Sequence, residues 1–170
     1  MIRVSEMIAK AGGVQKYDAA GLAARAEITD AVTLYCRAVD QRDWALMDLA
    51  FHPDATINFS IGEPLPYLEW VAFAKPIIDR MPMTFHQTGP SQIYLDKENA
   101  WADTYVTALH LVPTDAPADD FWNGQDQPYY GISNGRYLDH FVYREGRWKI
   151  VTRDVAVDTR FDVEIEKRFL

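Results

Sequence analysis

The sequence predicts an α+β fold in which helices lie on one face of a strongly curved, mainly antiparallel sheet. Two patterns carry this expectation: three helix-period segments occupy the first half of the chain, and from residue 84 onward the apolar spacing changes from helical to alternating. A third supports it, because 170 residues with 48% hydrophobic and 25% charged side chains have the balance of a single globular domain.

The first helix is expected from Leu22 to Val39, where Ile28, Ala31, Val32, Tyr35, Cys36 and Val39 fall on one stripe. Asp43 is placed to cap a second, shorter helix through Trp44, Leu46, Met47 and Leu49, which His52-Pro53 should end. Ala55 to Phe59 reads as a short strand. Pro64 and Pro66 suit the opening turn of a third helix over Tyr67, Leu68, Val71, Phe73 and Ile77, with Pro76 expected to kink or shorten it. Four strands follow: Thr84 to Leu95, Trp101 to Val112, Tyr130 to Tyr143 and Trp148 to Thr159. Asp96 to Asn99 and Arg144 to Arg147 are the hairpin turns. Between Pro113 and Pro128 lies a long polar loop containing two large rings, Phe121 and Trp122.

Composition excludes several functions. A net charge of −8 without any Lys/Arg cluster argues against nucleic acid. One cysteine, Cys36, rules out an intrachain disulfide and a cysteine metal site, and its place on an apolar helix face suits a buried, inert thiol. Arg3, Glu6 and Lys10 interrupt the opening residues, and no run approaches the ~20 apolar residues of a membrane span, so a cytoplasmic location is expected. Nucleotide, phosphate, serine-hydrolase and zinc-protease motifs are missing, and no histidine pair has metal-ligand spacing. Neither metal nor cofactor is expected.

Some polar residues stand out against this background. Alternation from Trp148 puts Lys149, Val151, Arg153, Val155 and Val157 on one face, so Arg153 must meet an acidic partner or face a polar cavity. Asp40 closes the first helix, where the macrodipole disfavours a carboxylate, so either Arg37 or Arg42 satisfies it or something more distant does. Among the histidines, His52 reads as turn punctuation and His140 has no special context. His86 begins the first long strand just before Gln87-Thr88-Gly89-Pro90, where a bulge is expected, and His110 shares a strand face with Val106, Ala108 and Val112.

Three segments, AVDQRDW at Ala38 to Trp44, TFHQTG at Thr84 to Gly89 and GRWKIVTRDVAVD at Gly146 to Asp158, resemble the SnoaL-like branch of the nuclear-transport-factor-2-like superfamily. The likeness spans residues 22 to 160. It implies a cystatin-like cone of three helices on a curved sheet, with an extension over residues 1–20, the cone over 21–160 and a tail over 161–170. Relatives such as scytalone dehydratase, the lindane dehydrochlorinase and the bile-acid 7α-dehydratase need neither metal nor organic cofactor. The resemblance assigns catalysis to His86 as base, Asp40 as its orienting carboxylate, Arg153 as the group that steadies the leaving group, and Tyr35, five residues before Asp40.

The same resemblance suggests substrate contacts from His110 and from Asn134, with Ser133 beside it, and the loop rings Phe121 and Trp122 could close either the cone mouth or a subunit contact. An aromatic content of 13% supplies rings to line something as well as fill the core, and the apolar, aromatic-lined cone that the resemblance implies suggests a hydrophobic cyclic substrate. The implied activity is a lyase or isomerase working by proton abstraction, dehydratase-like elimination foremost, in a homodimer or homotrimer. Two alternatives are a non-catalytic partner subunit, as in ring-hydroxylating dioxygenases, and a binding module.

Overall fold

Helix α1 (Ala19–Gln41) begins at Asp18, whose carboxylate accepts from the Gly21 amide at 2.7 Å, and ends at Arg42 in the left-handed region. The computed structural model describes residues 6, 8, 9, 13, 15, 17–59, 63–117 and 124–165. The stripe Ile28, Ala31, Val32, Tyr35, Cys36 and Val39 is buried as its spacing requires. Arg42 folds back onto the helix end: its guanidinium donates to the carbonyls of Val39 and Asp40, to Thr84 Oγ1 at 2.7 Å and to the Met81 carbonyl at 2.9 Å. A cation thus sits on the negative end of the helix and ties it to the strand that follows Met81.

A 3-10 turn (Trp44–Leu46) leads into the single-turn α2 (Met47–Ala50). Asp43 occupies the cap position there, but its side chain makes no capping bond. Strand β1 (Phe51–Asn58) starts earlier than expected and includes His52-Pro53. The sheet accepts Pro53 because its pairing is irregular between Phe51 and Thr56. His52 is a buried strand residue bonded to the Val142 carbonyl at 3.0 Å, where a turn residue was expected. The two-residue β2 (Leu65–Pro66) pairs with Thr56 and Ile57, and α3 (Tyr67–Ile78) follows. That helix buries Tyr67, Trp70, Ala74 and Ile78, whereas Leu68 and Phe73, two of the apolar residues that marked it in sequence, are exposed. Pro76 falls in the last turn and does not end it.

Strands β3 (Met83–Asp96), β4 (Asn99–Val112), β5 (Tyr129–Arg144) and β6 (Arg147–Glu164) form an antiparallel meander close to the expected boundaries. The order is β2-β1-β6-β5-β4-β3, with β1 joining β6 in parallel. Arg144 pairs with Arg147 across Glu145-Gly146, both at positive φ, a two-residue hairpin turn for which Gly146 supplies the unstrained position. β3 bulges between Thr88 and Ser91, at Gly89-Pro90. β6 bulges twice and runs to Glu164 against Tyr129, so residues 161–164 belong to the sheet although a tail was expected from 161. Helices α1 and α3 close one face of the curved sheet, burying Ile28, Val32, Met47, Phe51, Ile57, Phe141 and Ile150 between the layers.

Candidate functional site

The Asp40 carboxylate, released from the helix end by Arg42, reaches across to β3. One oxygen accepts the main-chain amide of His86 at 2.8 Å, and the other accepts from the imidazole Nδ1 at 2.7 Å. Both side chains are largely buried, 6% exposed for His86 and 19% for Asp40. Burial alone would push the Asp40 carboxyl upward; the hydrogen bonds and charge of His86 outweigh it and hold the group below the usual carboxylate range. Two donors from one residue fix both the position of His86 and the tautomer with the proton on Nδ1. Neither Arg37 nor Arg42 pairs with this carboxylate, so the local alternative is replaced by a long-range one.

Cross-strand register carries the site outward from His86, because directly opposed residues share a face. His86 lies opposite Ala108, Ala108 opposite Ser133, and Ser133 opposite Arg160; in the next row Thr84, His110, Gly131 and Asp162 are aligned. The His86 and His110 rings meet edge to face with centroids 5.3 Å apart. Burial depresses the His110 imidazole well below its usual range, and a proton on the neighbouring His86 would push it the same way, so it is a neutral ring beside the base. Ser133 is buried and its Oγ has no hydrogen-bond partner among the described residues.

Arg153 is fully buried and forms a two-pronged ion pair with the equally buried Asp139, Nε to Oδ1 at 2.7 Å and Nη2 to Oδ2 at 2.8 Å. Its guanidinium carbon lies 4.2 Å from the ring centroids of both Tyr35 and Tyr137. Burial alone would lower the Arg153 pKa, but the Asp139 carboxylate outweighs it, so the cation persists. Tyr35 is 2% exposed, meets the Tyr137 ring edge to face with centroids 5.4 Å apart, and stands between the ion pair and His86, whose ring is 6.3 Å away. Burial pushes its hydroxyl above the ordinary phenol range, with Arg153 opposing, so it remains a proton donor.

Of the residues expected from sequence, the structure therefore brings together Asp40, His86, His110 and Tyr35, with Arg153 behind Tyr35 and bound to Asp139. Asn134 is a correction. It projects from the opposite face, where it accepts from Thr107 at 2.8 Å and donates to Thr159 at 3.3 Å, because strand alternation gives the inward place to Ser133. Phe121 and Trp122 lie outside the described residues. His140 stacks on Trp101 and bonds Asn99, away from the site. Cys36 is buried and its thiol is pushed up to about 12, mainly by burial.

Sequence reasoning missed Asp139, Tyr137 and Arg160. Among the described residues no group of three His, Cys, Asp or Glu side chains could hold a metal ion, and no helix is long and apolar enough to cross a membrane. A surface cleft of about 410 Å³ between α1 and the β5–β6 turn, lined in part by Glu27, Asp30, Arg147 and Trp148, lies away from His86.

Comparison with known proteins agrees with this fold. The sequence profile of the SnoaL-like domain matches residues 20–154. No curated protein matches the chain in sequence. Among solved structures, the Kfla4162 protein of Kribbella flavida superposes with a TM-score of 0.70 at 19% identity, covering 82% of this chain and 94% of that one. A candidate scytalone dehydratase from Novosphingobium aromaticivorans gives 0.68 at 18%, covering 85% and 91%. A type 2 hexachlorocyclohexane dehydrochlorinase gives 0.70 at 14%, covering 88% and 97%.

Proposed function

Since the chain belongs to the SnoaL-like family of the nuclear-transport-factor-2-like superfamily, we propose that it is a cofactor-free lyase or isomerase that removes a carbon-bound proton from a hydrophobic cyclic substrate. The observation that carries this reading is the double grip of Asp40 on His86. With Nδ1–H given to the carboxylate, the neutral ring offers Nε2 as the base, and the carboxylate stabilises the imidazolium that forms. A base so held contributes about 10² to 10⁴ in rate.

In an elimination, His86 takes the proton α to a carbonyl and the electron pair moves onto the carbonyl oxygen. Collapse of that enolate expels a β-hydroxyl, which leaves as water after taking the proton back from His86. Tyr35, kept protonated by burial, is the donor best suited to the developing oxyanion. In this reading Arg153 acts through Tyr35 and not on the leaving group, because the guanidinium is fully buried against the Tyr35 ring with Nε and Nη2 held by Asp139. It is a positioning residue. Absorbance assays on a panel of cyclic β-hydroxy ketones, 3-hydroxy-1-tetralone among them, test the reaction: conversion by the wild-type chain and its loss in His86→Ala support it, and equal rates in both sink it.

A partner role has one observation in its favour. The outer sheet face carries two apolar rows, Met83, Leu111, Tyr130, Val163 and Phe85, Leu109, Ile132, Phe161, with Phe85 50% and Phe161 49% exposed. A patch of this kind marks an interaction surface, and a second copy of the chain, as homodimer or homotrimer, is the occupant that fits an enzyme. Light scattering on Phe85→Asp separates the cases: loss of mass with retained turnover supports self-association, and unchanged mass refutes this contact.

A further inference from the structure

The second bulge of β6 turns one more charged side chain into the candidate site. Without it, Arg160 would fall on the sheet face opposite Arg153, with Thr159 taking the inward place. The register slips between Asn134–Thr159 and Gly135–Val157, leaving Asp158 with no residue opposite it on β5, and the phase reverses. Thr159 then points outward to Asn134, which fixes the direction of its neighbour: Arg160 stands on the same face as Ser133, Ala108 and His86. Asp162, two residues on along that face, is one of its partners at 3.6 Å, and the Arg160 side chain is 26% exposed. Its positive charge reaches far enough to help depress the His110 imidazole.

Between the histidines and Arg160 the floor holds only Ala108, Gly131 and Ser133, none longer than a hydroxymethyl group. His86 and Arg160 are three strand spacings apart, about 14 Å of backbone separation, and both side chains rise from the floor. A ligand of one or two rings would span that separation. Ser133 Oγ, buried and without a partner among the described residues, faces that same space from the Arg160 side. A polar atom so placed has a donor to offer a ligand.

We infer that Arg160, with Ser133 beside it, is an anion-anchoring subsite that holds an acidic oxygen of the substrate, a carboxylate or phenolate, on the side of the ring system remote from the carbon that His86 deprotonates. The assignment rests on His86 being the base, and it narrows the substrate to a cyclic acid or phenol. A guanidinium suits this task because its fork can donate twice to one oxyanion.

Binding of 1-naphthoate and of its neutral counterpart 1-naphthamide to the full chain, measured by titration calorimetry, tests the subsite without requiring turnover. The wild-type chain is expected to prefer naphthoate by about tenfold or more. Arg160→Gln should bring the two affinities within about twofold while leaving that for naphthamide unchanged, and Arg160→Lys should keep part of the preference. Persistence of the preference in Arg160→Gln, or no preference and no naphthoate binding in the wild-type chain, overturns the inference. His86→Ala separates the two readings. It should keep the naphthoate preference while losing proton abstraction, so failure of the base leaves the anchor measurable and failure of the anchor leaves the base measurable.

Discussion

Replacing Asp139 by Asn should be among the most destabilising single changes available in this chain, although Asp139 touches no expected substrate position. Arg153 and Asp139 are both 0% exposed at the side chain, and their two short bonds satisfy Nε and Nη2. The amide can still accept one bond, but the guanidinium loses its counter-charge in a site walled by Tyr35, Tyr137 and Phe51. Breaking one side of a buried pair costs about 3 to 5 kcal/mol, against a total of roughly 5 to 15 kcal/mol for a domain. At about 2 to 4 °C per kcal/mol for a chain of this size, the melting temperature should fall by about 6 to 20 °C. Calorimetry and urea titration measure it. The double variant Asp139→Leu/Arg153→Met, which removes both charges, should recover most of the loss. A melting temperature within about 2 °C of wild type in Asp139→Asn would refute the reasoning that this pair is a closed, desolvated unit.

Two further predictions concern acid and packing. Because the folded chain holds the Asp40 carboxyl below its unfolded value, this group adds stability above the usual carboxylate range and loses it as pH falls through the folded pKa. The difference in melting temperature between wild type and Asp40→Asn should therefore shrink as the pH is lowered below about 4, and a difference constant from pH 7 to pH 3 would contradict the bond to His86. Gly135→Ala should unfold the sheet centre or cost about 3 kcal/mol or more, since an added Cβ would sit 2.0 Å from the Ala156 carbonyl oxygen at the β6 bulge. Wild-type stability in that variant would show that the strands can part there freely.

Much of the fold was legible because periodicity reports it directly: the α1 stripe and the four long strands emerge close to where alternation puts them. The elements read less well are those in which pairing overrides local preference. Pro53 sits in a strand because β1 is irregular there, and Leu68 and Phe73 face outward because Tyr67, Trp70, Ala74 and Ile78 take the buried stripe of a helix entered at Pro66.

The base pair was legible for a different reason. A carboxylate at a helix C-terminus and a histidine at a strand bulge are each out of place locally, and each explains the other. Asp139 was hidden by one residue. Counting outward from the Arg144–Arg147 turn without a bulge sets Leu138 opposite Arg153; the slip between His140 and Phe141 makes it Asp139. A second slip near Asp158 hid Arg160. Bulges leave little trace in hydrophobic spacing, because a single inserted residue leaves short apolar runs on either side unchanged. Asn134 failed for the reverse reason, since alternation alone already favoured Ser133 as the inward member of that pair.

Catalysis as proposed requires His86 to take a proton from carbon while Asp40 holds it. Proton NMR of the same cyclic β-hydroxy ketones in D₂O follows deuterium entering at the carbon α to the carbonyl, and it reads proton abstraction whether or not elimination follows. Wild-type chain should catalyse that exchange for at least one member of the panel. His86→Ala and Asp40→Asn should each slow it by about 10² or more, and the double variant should be little worse than the slower single one, as expected of two groups that act as a unit. Exchange at the wild-type rate in His86→Ala, or none with the wild-type chain across the panel, would contradict the account.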